Sequence, residues 1–174
     1  ENPVDSAAVN DMGTMHVLDA ARQKNVKRVV FSSSCAVYGD DPRLPKREDM
    51  NPKPLSPYAA QKLAAEYYTK VFYDLYGIET AVLRYFNVYG PRQDPSSPYS
   101  GVISVFMTKA LQNDPAVIYG DGNQSRDFIY VQDVVRANLL AATAKNAGGQ
   151  AINIGSGSSV TINELWQAIC ALCG

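Results

Sequence analysis

Apolar residues recur along this chain in two alternating rhythms, one of helical spacing and one of short continuous runs. Val4, Ala8, Val9, Met12, Leu18 and Ala21 fall at roughly helical spacing, which predicts a helix over 4–23. Val26-Lys27-Arg28-Val29-Val30-Phe31 is a β-branched run of the kind that forms a buried strand, and it ends in Ser32-Ser33-Ser34. Five of the ten prolines then crowd between Pro42 and Pro57, so this stretch reads as loop. Ser56 as N-cap and Pro57 as first helical residue open a second helix, and Gly77 stops it. Residues 79–86 read as a strand, 90–100 as a second proline-rich loop, 102–111 as a helix and 116–119 as a strand. After the turn residues Gly120-Asp121-Gly122-Asn123 come a strand over 126–130 and a helix over 131–144. Gly148-Gly149 breaks the chain before a strand at 151–154, and Thr161-Ile162-Asn163-Glu164 is a capping box opening the last helix.

Strands that alternate with helices imply βαβ crossovers and a mainly parallel sheet, so the fold class is α/β. In open sheets of this kind ligands bind beyond the carboxyl ends of strands. The segments after Phe31, Phe86 and Ile154 are therefore the places to look for chemistry.

Composition narrows the function classes. The chain has 174 residues, with 16 Lys and Arg against 17 Asp and Glu, a net charge of −1 that makes no electrostatic case for nucleic acid. No run of about 18 apolar residues is present, so no membrane span is expected. The first residues, Glu1-Asn2-Pro3-Val4-Asp5, lack a charged-then-apolar signal pattern. The sparse, odd set Cys35, Cys170 and Cys173 argues against a disulfide framework and fits a reducing cytoplasm. Cys170 and Cys173 have CxxC spacing, but zinc needs further ligands and His16 is the only histidine, so packing cysteines and no metal are expected. His16 lies among Met12, Met15 and Leu18 and reads as structural.

Two segments offer candidate chemistry. Ile154-Gly155-Ser156-Gly157-Ser158-Ser159-Val160 follows a strand and precedes a helix, like the start of a dinucleotide fingerprint. Val160 stands where a third glycine belongs, however, and the sequence stops before the position about 20 residues on where an acidic residue is expected; a tight turn is the favoured reading. The other segment joins Ser34, at the carboxyl end of its strand, to Tyr58 and Lys62. These two are four residues apart near a helix N-terminus and share a face. A free phenol ionises near pH 10, so a tyrosine base near pH 7 needs about 4 kcal/mol of help. An ammonium and a helix N-terminus both favour the phenolate. Hydroxyl, phenol and ammonium together suit moving one proton on or off an alcohol.

Phe31-Ser32-Ser33-Ser34-Cys35-Ala36-Val37-Tyr38-Gly39, Pro57-Tyr58-Ala59-Ala60-Gln61-Lys62 and Arg84-Tyr85-Phe86-Asn87-Val88-Tyr89-Gly90-Pro91 resemble the extended short-chain dehydrogenase/reductases. Within their NAD-dependent epimerase/dehydratase family they look most like the UDP-glucose and UDP-N-acetylglucosamine 4-epimerases. Gly120-Asp121-Gly122 and Arg126-Asp127-Phe128-Ile129-Tyr130-Val131 with Asp133 extend the resemblance. The resemblance implies a partial Rossmann-like parallel sheet without its N-terminal βαβ units, and part of a small substrate-binding subdomain. Residues 1–86 would be the C-terminal half of the NAD-binding domain, and 87–174 the substrate-binding region, weaving back to the sheet.

The same resemblance implies roles. Tyr58 takes the proton of the sugar 4-hydroxyl, Lys62 assists it and binds the nicotinamide ribose, and Ser34 hydrogen-bonds the same sugar oxygen. Ser32, Ser33, Tyr85 and Phe86 fall on the cofactor side, although Tyr85 and Phe86 are equally well explained as strand core. Asn87 and Arg126 match positions that hold the UDP phosphates, and Val102 and Tyr119 positions along the uracil pocket. Arg126 paired with a surface carboxylate and Val102 as core remain open. Related dehydratases carry an Asp-Glu pair where this chain has Cys35 and Ala36, so elimination lacks its acid and base here and epimerisation does not. The family's Gly-rich NAD turn would precede Glu1, so the chain reads as the interior of a longer UDP-sugar epimerase and as inactive alone. Other enzymes of the same fold (a uronate epimerase, a decarboxylase, a dehydratase) and a non-catalytic binding or assembly module are the alternatives. Five of the eleven tyrosines lie on the helix at 57–76. That helix is apolar over more than one face, and the resemblance implies a homodimer through it and the helix at 4–23.

Overall fold

The computed structural model describes residues 2–97 and 101–173. The first helix is not continuous. Asn2 caps α1 (Pro3–Ala7), a π-helical turn follows over Ala8–Met12, and α2 (Gly13–Gln23) completes the run. A π turn inserts a residue into the 3.6 rhythm, which is why the apolar spacing over 4–23 is only roughly helical. β1 (Arg28–Ser34) starts two residues later than the apolar run and takes in all three serines. A 3-10 turn at Cys35–Tyr38 ends it, capped by Ser34, whose Oγ accepts from the Ala36 N–H at 3.2 Å. The proline-rich loop leads to α3 (Pro57–Tyr76). Ser56 Oγ caps α3 through the Ala59 N–H, Pro57 stands in the first turn, and Gly77 ends it in the left-handed region at φ +68°, a conformation that costs glycine little.

β2 (Glu79–Tyr85) and β3 (Asn87–Tyr89) follow, then α4 (Val102–Leu111), which has the bounds read from the pattern. The loop at 90–100 is irregular as far as Ser97; residues 98–100 lie outside the described residues. The strand expected at 116–119 does not form: the segment pairs with no strand, and Ala116 and Ile118 pack on the apolar cluster of α4. Its alternation reflects a side that faces that cluster rather than a sheet. The strand expected at 126–130 is broken at Asp127 into β4 (Ser125–Arg126) and β5 (Phe128–Tyr130). Then come α5 (Val131–Thr143), β6 (Gln150–Ile154), β7 (Val160–Thr161) and α6 (Ile162–Cys173). The capping box forms as the spacing requires: Glu164 Oε2 accepts from the Thr161 N–H at 2.8 Å, and Thr161 Oγ1 from the Glu164 N–H at 3.2 Å.

The chain divides into two compact units. The first comprises residues 1–85 and 136–154, the second residues 86–135 and 155–174, and α5 runs from one into the other. The first unit is built on a parallel sheet of order β1-β2-β6. On one face Ala81, Leu83, Val30, Tyr85, Ile152 and Ile154 pack with Ala141 and Ala147, on α5 and just after it. On the other, Val29 and Ile78 pack with Leu18 of α2 and with Phe72 and Tyr68 of α3. Helices on both faces are the layer pattern of a doubly wound sheet. The second unit has a parallel pair β3-β5, an antiparallel pair β4-β7, and a core of Phe106, Ile162 and Ile169 with Trp166 edge-on to Phe106. Cys173 packs on that core, and none of the three cysteines is in a disulfide. Among the described residues no group of His, Cys, Asp and Glu could hold a metal ion, and no helix is long and apolar enough to cross a membrane.

Candidate functional site

The chemistry of the first unit gathers where β1 ends and α3 begins. Strand alternation decides which serine does what. Ser32 is exposed and Ser34 half-buried, whereas Ser33 between them is 3% exposed and turned to the α3 face. The Ser33 hydroxyl, expected on the cofactor side, donates instead to Glu66 Oε1 inside the protein. Ser34 accepts from the Ala36 N–H, and a hydroxyl that accepts there still has a proton to donate.

Tyr58 and Lys62 stand one turn apart at the start of α3, as their spacing implied. Tyr58 is 40% exposed. The half-buried Lys62 Nζ donates to the Ser32 carbonyl at 3.0 Å, 5.8 Å from the Tyr58 ring centre and 5.1 Å from that of Phe31. Burial lowers the pKa of Lys62. An ammonium tied at one of its three donors to β1 is therefore held beside the phenol. Tyr85, the last residue of β2, lies on the same sheet face as Ser32 and Ser34. Its hydroxyl is 3.1 Å from Ser32 Oγ and donates to Asn138 Oδ1 at 2.8 Å. Its phenol is thus engaged in a polar row, a role that strand core alone does not explain.

Sequence reasoning missed two sets of groups that hold α3. Gln61, 6% exposed, accepts at Oε1 from Ser6 Oγ and Asn10 Nδ2, both at 2.8 Å, and ties α3 to α1 and the π turn. Glu66 pairs with Arg84 within the sheet–helix layer, both side chains 7% exposed or less. Burial works against the Arg84 charge, but Glu66 and the Tyr38 hydroxyl more than offset it and hold the guanidinium above its ordinary pKa. The available signal was Arg84 itself, a charge inside the apolar strand Ala81-Val82-Leu83-Arg84-Tyr85, which a buried partner must compensate.

In the second unit Phe86 is a half-buried residue between β2 and β3. Asn87 starts β3, opposite Phe128 in register, and its Nδ2 donates to the Asp127 carbonyl at 2.9 Å. Arg126 is exposed, and its Nη1 donates to the Ser125 carbonyl at 2.8 Å. Val102 is half-buried in the Phe106 cluster at the start of α4, and Tyr119 is 83% exposed. The Gly155 segment is a closed turn. Asp127 accepts at Oδ1 from the N–H and hydroxyl of Ser156, both at 2.8 Å, and at Oδ2 from the Gly157 N–H at 3.0 Å. A Cβ on Gly155 would lie 2.6 Å from Asp127 Oδ2, so the glycine is there for close approach. A carboxylate already fills the amides that a phosphate would need, so the segment is a tight turn.

Residues 1–155 match the NAD dependent epimerase/dehydratase family. The chain is 40% identical over its full length to the UDP-glucose 4-epimerase of Mycolicibacterium smegmatis, covering 55% of that protein. Among solved structures it resembles the UDP-N-acetylglucosamine 4-epimerase of Methanobrevibacter ruminantium in complex with UDP-N-acetylmuramic acid. The identity there is 46% and the TM-score 0.91, over 95% of this chain and 53% of that one. It also resembles the UDP-glucose 4-epimerase of Thermus thermophilus in complex with NAD, at 38% identity and TM-score 0.89, over 100% of this chain and 57% of that one. The chain spans about half the length of the curated relatives it matches.

Proposed function

The chain belongs to the NAD dependent epimerase/dehydratase family, and from that premise we propose that it is part of a UDP-hexose 4-epimerase acting by transient NAD-dependent oxidation at C4. The observation that carries this reading is the Lys62 ammonium, bonded to the Ser32 carbonyl and lying beside Tyr58 at the carboxyl edge of a parallel sheet. Epimerisation asks one proton of this chain. Tyr58 takes it from the sugar 4-hydroxyl and returns it, Lys62 favours the phenolate, and Ser34 donates to the same oxygen. Cys35 and Ala36, the two residues after Ser34, supply no carboxylic acid for elimination, which supports epimerisation.

The residues present fit one end of NAD. The Ser32 hydroxyl, the phenol and the remaining ammonium donors suit ribose hydroxyls, whereas the Gly155–Gly157 amides are occupied by Asp127 and do not suit a pyrophosphate. When bound, NAD supplies a hydride acceptor and donor. In this reading Lys62, Tyr58, Ser32, Tyr85 and Phe86 line the nicotinamide end, Asn87 and Arg126 hold the UDP phosphates, and Val102 and Tyr119 flank the uracil. Residues 1–86 then serve the cofactor and 87–174 mainly the sugar nucleotide. The 174-residue chain alone is expected to bind NAD weakly, and isothermal titration showing tight binding overturns that point.

The whole protein is read as a cytoplasmic homodimer. Val9, Met12 and Val17 on the first helices and Tyr67, Val71 and Leu75 on α3 are exposed apolar side chains, which supports pairing through these helices. Sedimentation equilibrium finding only monomer refutes it. The function is tested by following UDP-galactose and UDP-N-acetylgalactosamine by NMR with the whole, NAD-loaded protein. Inversion at C4 is expected, and its absence on every UDP-hexose overturns the reading.

A further inference from the structure

Lys62 and Glu66 lie one turn apart on the same face of α3, and they grip consecutive residues of β1. Lys62 Nζ donates to the Ser32 carbonyl at 3.0 Å, and Glu66 accepts from the Ser33 hydroxyl. The Glu66 carboxylate is also held by Arg84, whose Nε reaches Oε1 at 3.0 Å and whose Nη2 reaches Oε2 at 2.6 Å. Arg84 Nη1 in turn donates to the Tyr38 hydroxyl at 2.9 Å, and that hydroxyl donates to Asn153 Oδ1 at 2.7 Å. Ser33, Arg84 and Asn153 are paired across β1, β2 and β6 in register, one row before the row of Ser34, Tyr85 and Ile154. A polar chain thus crosses the whole sheet directly beneath the candidate site and rises into α3.

We propose that Glu66, Arg84 and Ser33 are positioning residues, a buried clamp that sets where α3 meets the end of β1 and so keeps the Tyr58–Lys62 pair within reach of Ser34 and Lys62 anchored on the Ser32 carbonyl. Stability alone is a poor explanation for such a clamp. Taking two charges out of water offsets most of their attraction, and well-packed apolar side chains hold a core as well. An ion pair differs in accepting only one alignment. A bidentate guanidinium–carboxylate pair has fixed geometry, whereas apolar side chains tolerate sliding. The site needs that alignment, because its ammonium and phenol arrive on a helix while the serine arrives on a strand. A shift of about 1 Å between reacting groups costs on the order of 100-fold in rate.

The proposal rests on the reading of Tyr58 as the proton carrier, and the experiment separates the two. In the whole protein, Ser33→Ala removes the strand's link and leaves the Glu66–Arg84 pair, while Glu66→Gln leaves Arg84 without its charge partner. Both are compared with Tyr58→Phe for thermal midpoint, KM and the pH profile of kcat. For Ser33→Ala we expect a folded protein, KM within about twofold, kcat lower by about tenfold, and an acid limb moved up by about half a pH unit as Lys62 loses its hold on the Ser32 carbonyl and its ammonium swings off the phenol. A kcat per folded molecule and an acid limb equal to the parent's overturn the clamp as a positioning device. If Glu66→Gln does not fold, Ser33→Ala alone decides. Parental activity in Tyr58→Phe overturns the site reading instead, whichever way the clamp variants behave.

Discussion

The end of β1 and the turn at Gly155–Gly157 have similar composition, small residues and serines at the carboxyl end of a strand, but they dispose of their polar groups in opposite ways. At the end of β1 only the middle serine is consumed inside the protein, and the outer two, with Lys62 and Tyr58, stay at the edge. At the glycine turn the Asp127 carboxylate takes the Ser156 and Gly157 amides, so a sequence that looks like a phosphate cradle is its own ligand. The difference is in what the neighbouring strand contributes. β2 brings Arg84 to absorb Glu66 below the site and so leaves Lys62 clear, whereas the β4–β5 break brings Asp127 directly to the turn. A loop's capacity to bind is therefore set by which of its donors the fold has already satisfied.

The comparison can be broken from either side. The largest effect is expected at the open edge: Lys62→Met in the whole protein should lower turnover by about 100-fold or more while the fold persists, as read by single-turnover kinetics beside a thermal melt. Parental turnover would place the chemistry elsewhere. Next comes the clamp. Glu66→Ala leaves the Arg84 guanidinium buried and unpaired, and should destabilise by about 3–5 kcal/mol in urea unfolding; a loss under about 1 kcal/mol would mean the pair behaves like a solvated one. At the closed turn, Asp127→Ala frees the Ser156 and Gly157 amides and should cost about 1–3 kcal/mol. An unchanged unfolding free energy would show that the carboxylate is not what shuts it.

The smallest effect belongs to the loop before α3. There Asp41, 8% exposed, accepts from the Arg43 side chain and N–H and lies near Lys53. The Arg43 hydrogen bonds hold its carboxyl well below its ordinary value of 3.8. A carboxyl depressed in the fold contributes stability that is present above the unfolded value and is lost as pH falls through and below it. Stability of Asp41→Asn should therefore converge on the parent's as pH drops below about 4, and a gap unchanged down to pH 2 would contradict this.

Much of this was legible along the chain because its punctuation is local. Ser56-Pro57 and Gly77 bound α3, and the Thr161–Glu164 box opens α6, through contacts within a few residues. The Tyr58–Lys62 pair was legible for the same reason, since one helical turn fixes it. What was illegible depends on distant partners. Periodicity cannot distinguish the segment 116–119, which leans on the cluster of Phe106, Ile162 and Ile169, from a strand, because both alternate. Nor does the run Ser32-Ser33-Ser34 say which hydroxyl is consumed; that needs Glu66, 33 residues away, and Arg84 behind it. The π turn at Ala8–Met12 left only a blurred period, and its tie from Asn10 to Gln61 spans 51 residues.

The central claim is that a proton moves through Tyr58 at the open edge of the sheet. It is tested most directly by the turnover of Tyr58→Phe in the whole protein, measured on the UDP-hexose that the parent converts, with KM and thermal midpoint taken alongside. The account predicts a fall in kcat of about 100-fold to 10,000-fold with fold and KM essentially kept. A Tyr58→Phe protein that turns over at the parental rate contradicts it.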